Sequence, residues 1–244
     1  MKIKIYIGSF FLLMLSAINV NLFAQSRDFV QEDLVKVAGV TSGQAVFSLP
    51  PTDRITTRVY MDGLGRPIQR VAISASPTQK DIIMPMAYNA LGQQARSYLP
   101  YASATNTGAM RSNALTEQLG FYATAGQKHA TDGSPFSAQL FENSPLQKVM
   151  QSGSDGAGYQ PGERYKSFDY RTNISSETIR RWNALGTAES SYGAGKLMVT
   201  SASDEQGGQT IAYTDSRGQL ILKKQYLNEG GRTYIETYYV YDDA

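Results

Sequence analysis

The chain has 244 residues, 41% hydrophobic and 18% charged, with 16 tyrosines, a composition too apolar and too aromatic for a disordered polypeptide. It has no cysteine and one histidine, which excludes cysteine nucleophiles, disulfide frameworks, thiolate zinc sites and polyhistidine metal sites. The formal charge of +2 invites a polyanionic partner, but the first segment removes that invitation. Lys2 and Lys4 form a short basic region ahead of an apolar run over residues 5–20, and small Ala24 suits the residue before a signal-peptidase cut. Residues 1–24 therefore read as a signal peptide, with cleavage near Ala24 and export to the periplasm, cell surface or medium. The apolar run is shorter than the roughly 20 residues of a membrane span. A lipid anchor would need a cysteine at the cut. Cleavage removes two lysines and no acid, so the 23 basic residues become 21 against 21 acidic ones. The mature chain is neutral, and no nucleic-acid partner is expected.

Residues 26–38 carry mixed spacing that suits a short helix or an extended arm. Residues 39–51 are turn-rich and close on Pro50 and Pro51. Residues 55–60 alternate and are rich in β-formers, which predicts a strand. A turn at Asp62-Gly63-Leu64-Gly65 follows, and residues 67–74 alternate again, so the pair reads as a hairpin. Residues 81–88 predict another strand, which Pro85 places at an edge or a bulge. Asn89-Ala90-Leu91-Gly92 turns the chain into a return strand over residues 93–99. Residues 101–133 form a long irregular insertion with a short helix near 114–121. Short β-elements are expected at 136–141 and 146–151. The glycine-rich stretch 153–162 marks a boundary, giving a β-rich domain over residues 25–163 and a second region over 164–244. That second region predicts strands at 164–170, 178–182, 195–202, 209–213, 220–226 and 233–241.

Four turns share one grammar. An aromatic residue (Tyr60, Tyr88, Trp182, Tyr213) is followed within two positions by Asp62, Asn89, Asn183 or Asp215. Gly65, Gly92, Gly186 or Gly218 then stands three residues later. Asp or Asn at the first turn position accepts backbone N–H bonds, and glycine at the fourth takes the left-handed conformation that returns the chain as a bulge. The glycine spacings of 27 (Gly65 to Gly92) and 32 (Gly186 to Gly218) suggest an internal repeat, and Tyr241-Asp242 opens a further copy.

These aromatic-x-Asp-x-x-Gly units resemble the tyrosine-aspartate (YD) repeats of RHS-repeat proteins. Residues 60–71, 76–88, 98–101 and 142–149 are similar to the domain of unknown function that precedes those repeats in many secreted bacterial RHS proteins. The resemblance implies a long parent protein whose repeats wind into a hollow β-shell, often around a C-terminal toxin or effector. The expected partners are then the rest of the shell and that effector.

Candidate chemistry is sparse. His129 lies in the irregular insertion and reads as a surface-loop residue. There is no G-x-S-x-G elbow for a serine nucleophile. Gly193-Ala194-Gly195-Lys196 lacks the upstream glycine and the following Ser or Thr of a phosphate loop. Asp62 and Asp215 are the carboxylates a glycosidase would need, but their equivalent turn positions explain both. The loop around Asp155 lacks alternating calcium ligands. No catalytic, cofactor-binding or metal-binding residue is assigned, and no cofactor is implied. The fold expected is mainly β, built of antiparallel hairpins with D/N-x-x-G turns, and the function expected is structural rather than enzymatic. The alternative is a cell-surface adhesin or glycan-binding module, with Tyr234, Tyr238, Tyr239 and Tyr241 as a sugar-stacking face.

Overall fold

A computed structural model describes residues 28–229 and 232–241; the signal peptide expected over residues 1–24 lies outside them. The architecture is mainly β and antiparallel. Thirteen strands hydrogen-bond into one open sheet, and two more form a separate hairpin. The chain divides into two compact units, residues up to 83 with 102–112, and residues 84–101 with 113 onward.

In the first unit, β1 (Phe29–Val35), β2 (Arg54–Met61) and β3 (Pro67–Ala72) form an antiparallel meander. Residues 29–35 are therefore a strand, which resolves the choice between helix and arm. Its polarity is inverted: Val30 and Leu34 are exposed, whereas Gln31 and Asp33 turn towards Arg58, Thr56 and Arg54 on β2. The β1–β2 connection holds one short helix, α1 (Gly43–Phe47), whose first turn is capped by Ser42 Oγ accepting from the Ala45 N–H.

The segment 103–112 is fastened to this unit by side chains that answer its backbone. The Tyr60 hydroxyl donates to the Gly108 carbonyl at 2.6 Å, and the Gln69 amide exchanges two bonds with the Arg111 backbone at 2.8 and 3.0 Å. Asp81, 1% exposed, accepts from the N–H groups of Ser74 and Gly108 at 2.9 and 2.8 Å. A loop without secondary structure must find such partners if its polar groups are to be buried. Gly108 has φ +65°, and a Cβ there would collide with the Ile73 side chain, so both the backbone and the space require glycine.

Strand β4 (Ile82–Ala87) spans the division between the units and pairs with β6 (Tyr101–Ala102). It lies between β3 and β5 (Arg96–Tyr98) in hydrogen-bonding order, so Pro85 is buried in an interior strand rather than at an edge. The β4–β5 ladder consists of Met86↔Ser97 and Ala87↔Arg96, and so begins one residue past the proline. On that side the missing N–H breaks no bond.

The second unit continues through β7 (Phe136–Phe141), β8 (Val149–Gly153) and β9 (Lys166–Thr172). Its remaining sheet strands are β12 (Met198–Ser203), β13 (Gln209–Thr214), β14 (Leu220–Glu229) and β15 (Arg232–Tyr238). Helix α2 (Ala114–Ala123) is held by buried Gln118, whose amide donates to the carbonyls of Leu99 and Pro135 at 3.0 and 2.6 Å. Cross-strand register builds the core. Val199 faces Tyr213, Tyr213 faces Leu222 and Leu222 faces Tyr238, one row across four strands. Ile179, Leu197 and Ile221 complete this cluster. Bulky residues in such a row exclude water from one face of the sheet. The separate hairpin is β10 (Arg180–Trp182) with β11 (Ala188–Ser191), the latter exposed throughout.

Candidate functional site

The recurrent turns share one geometry. At Asp62 the carboxylate Oδ1 accepts from the N–H groups of Leu64 and Arg66, both at 2.9 Å, while the Gly65 N–H closes on the Asp62 carbonyl and Gly65 has φ +75°. Asn89 repeats this with Leu91 and Gln93, Asn183 with Leu185 and Thr187, and Asp215 with Arg217 and Gln219. Their glycines have φ between +75° and +81°. A fifth copy stands at Asp204, which accepts from Gln206 and Gly208 at 2.9 and 2.7 Å, with Gly207 at φ +86°. Ser203 precedes it instead of an aromatic residue, which hid it in the sequence. The 32-residue interval from Gly186 to Gly218 thus contains an extra hairpin.

This geometry consumes the two carboxylates that a glycosidase reading would need. In Asp62 the Arg66 backbone N–H, helped by the Arg66 guanidinium at 2.7 Å, holds the carboxyl below its usual range. In Asp215 burial opposes ionisation, but the N–H groups of Gln219 and Arg217 outweigh it and again lower the value. Neither carboxyl is poised as a proton donor.

His129 lies in a loop of the insertion, as expected, and is half-buried there. Its ring packs against Phe121 and Tyr122 of α2, with centroids 4.6 and 4.9 Å away. Nδ1 lies 3.1 Å from its neighbour's carbonyl at Ala130, and Nε2 is buried without a hydrogen-bond partner. Aromatic packing pulls the ring off the solvent side of its loop. Among the described residues no hydroxyl or carboxylate is bonded to it.

In the loop 193–196 the amides of Gly195 and Lys196 are already engaged, the first by the Asn173 carbonyl at 2.8 Å. Asn173, 1% exposed, accepts from the N–H groups of Lys196 and Leu197 and donates to the Gly193 carbonyl, all at 2.9 Å. Near Asp155, the neighbouring Asp132 takes the N–H groups of Ser134 and Ala157. Among the described residues no group of three acidic or histidine side chains is arranged to hold a metal, and no helix is long and apolar enough to cross a membrane.

Two features were not legible from spacing. The first is a network in which Glu177 receives both Arg171 guanidinium nitrogens, at 2.9 and 2.6 Å, and the Tyr213 hydroxyl at 2.7 Å. Arg171 holds the Glu177 carboxyl down to about 2, while burial and the bond to Glu177 push the Tyr213 phenol well above its usual value. The second is a cleft of about 290 Å³ between the β10–β11 hairpin and the ends of β14 and β15. Trp182 lines it and meets Tyr238 edge-on at 5.8 Å, and its indole N–H is buried without a partner.

Of the tyrosines named for a sugar-stacking face, Tyr238, Tyr239 and Tyr241 line this cleft and Tyr234 does not. Tyr234 meets Tyr226 edge-on and donates to Gln209, Tyr238 packs on Trp182 and the core, and Tyr241 donates to the Leu220 carbonyl.

The profile of DUF6443, described as a domain of unknown function, matches residues 35–172, more than half of the chain. No curated protein matches the chain.

Proposed function

We propose that this chain, which belongs to the DUF6443 family, is a non-catalytic structural module of an exported protein and starts or caps a shell of YD-type repeats. In this reading residues 1–24 direct export, residues 25–163 form the leading β-rich domain, and residues 164–244 begin the repeats. The partners are the rest of the shell and a C-terminal toxin or effector inside it.

The observation that carries the reading is the reuse of one turn. Five hairpins close with the same carboxylate or amide bridge and the same left-handed glycine. In the second unit each successive main-sheet strand from β7 to β9 and from β12 to β15 adds to the previous one, and β15 pairs only with β14 among the described strands. Such an arrangement extends by adding hairpins, and an uncovered edge favours a further strand. The engagement of Tyr234 and Tyr238 in packing supports this reading over the adhesin alternative.

The coding sequence after Ala244 tests it. The expected result is a continuous frame carrying more aromatic-x-Asp-x-x-Gly units. A stop codon there, with no such units in the locus, overturns it.

A further inference from the structure

We infer that the outer edge of β1 takes an added strand from a second polypeptide, an extended segment of the form apolar-x-Lys-x-apolar. Such a site goes beyond the shell reading and rests on it only for the removal of residues 1–24.

The backbone of β1 has one side free. The Met61 N–H donates to the Asp28 carbonyl and the Lys36 N–H to the Asp53 carbonyl, so the backbone groups of the even-numbered residues face β2. The N–H and C=O groups of Phe29, Gln31, Asp33 and Val35 then point away from it. Among the described strands β1 pairs only with β2. Further hairpins of the shell reading add beyond β15, at the other end of the strand order, and supply no strand here. Once residues 1–24 are removed, only residues 25–27 precede Asp28, too few to turn and run back along β1. An open edge seven residues long is a template for strand addition.

The side chains state what that strand must carry. Val30, Glu32 and Leu34 share one face and are all exposed, Val30 and Leu34 by 60% each. Among the described residues the Glu32 carboxylate has no hydrogen bond or ion pair. The sheet answers the same pattern elsewhere. On β15, Tyr234, Glu236 and Tyr238 face Tyr226, Lys224 and Leu222 of β14, and Lys224 Nζ lies 2.8 Å from the Glu236 carboxylate. A strand with Lys between two apolar residues on one face therefore matches β1 as β14 matches β15. At positions 30, 32 and 34 the new pairs are of the non-hydrogen-bonded kind, whose side chains stand closest. A second copy of β1 is a poor occupant: with Val30 set against Leu34 of the other copy, the two Glu32 carboxylates fall opposite each other.

The protein exported by its native host is titrated into fluorescein-labelled Thr-Leu-Thr-Lys-Thr-Val-Thr-amide, and anisotropy is read. The expected result is a saturable rise. Glu for Lys in the peptide, or Glu32→Lys in the chain, should weaken binding about threefold or more, and combining the two changes should restore it. N-methylation of the Thr after Lys, whose N–H faces β1, should weaken binding about tenfold. N-methylation of the Lys itself, whose N–H faces away, should weaken it far less. Glu32 is exposed, so an unchanged melting temperature separates lost binding from lost folding. Any one of four results overturns the inference: no saturable rise, equal binding of the Glu and Lys peptides, no restoration by the paired change, or no difference between the two N-methylated peptides. Self-association of the chain that competes with the peptide also overturns it, because the occupant would then be a second copy. The mass of the exported chain reports removal of residues 1–24 separately, so failure of the export reading and failure of the site are told apart.

Discussion

Glu177 accepts from Arg171, six residues back in the chain, and from Tyr213, 36 residues on, and so joins the loop after β9 to the central row of the second core. The carboxylate is 17% exposed and is the partner of the Tyr213 hydroxyl, whereas Arg171 also reaches the Thr172 carbonyl at 3.0 Å. Glu177→Gln should lower stability by about 1–3 kcal/mol, the usual effect of leaving charged or buried groups short of a bond, as read by denaturant unfolding. The pH dependence has a definite sign. The folded-state value near 2 lies below the ordinary 4.5, so the contribution is complete above about pH 4.5. It shrinks as pH falls towards about 2, because the unfolded chain takes up its proton first. The stability gap between the native chain and Glu177→Gln should close over that window, and a gap that stays constant would contradict the assignment. At this scale the sequence was legible where chemistry is local. Asp62 and Gly65 announce their turn because the bonds run two to four residues along the chain. Asp81, Asn173 and Glu177 did not announce theirs, because most of their partners lie 6–36 residues away, brought close only by the fold.

The hairpin turn is the unit in which sequence and geometry agree best. Gly65 has φ +75° and open space around a notional Cβ, so the only cost of a side chain is backbone strain. Gly65→Val should therefore destabilise by about 1 kcal/mol or more, seen as a lower melting temperature, with Gly65→Asn milder because Asn tolerates the left-handed region. The β10–β11 hairpin makes the opposite case. Two strands alone are marginal, and Trp182 against Tyr238 is the aromatic contact that ties this pair to the sheet. Trp182→Ala should leave the main sheet intact but expose the 183–187 turn to limited proteolysis, with unchanged cleavage speaking against that role. Strand β11 was missed in the sequence because Ala188–Ser191 has no β-branched or aromatic residue and no buried side. Strand β1 was ambiguous because Val30 and Leu34 face outward while Gln31 and Asp33 face inward. Pro85 misled because a rule about edges gave way to a ladder that starts after it.

For the molecule as a whole, the antiparallel plan was legible because turn signals recur between alternating segments. The strand order follows the chain for most of its length, as a series of hairpins should. The cleft was not legible, since its walls come from residues near 180–192, 215–221 and 238–241. The functional claim also belongs to this scale: an exported, non-catalytic module whose β15 edge is continued by further repeats. Peptide mapping of the protein exported by its native host tests that claim most directly, because it reads both ends of the mature chain. The account predicts an N-terminal peptide starting at Gln25 and peptides beyond Ala244 that carry further D/N-x-x-G turns. A mature protein that keeps Met1, or one that ends at Ala244, would contradict it.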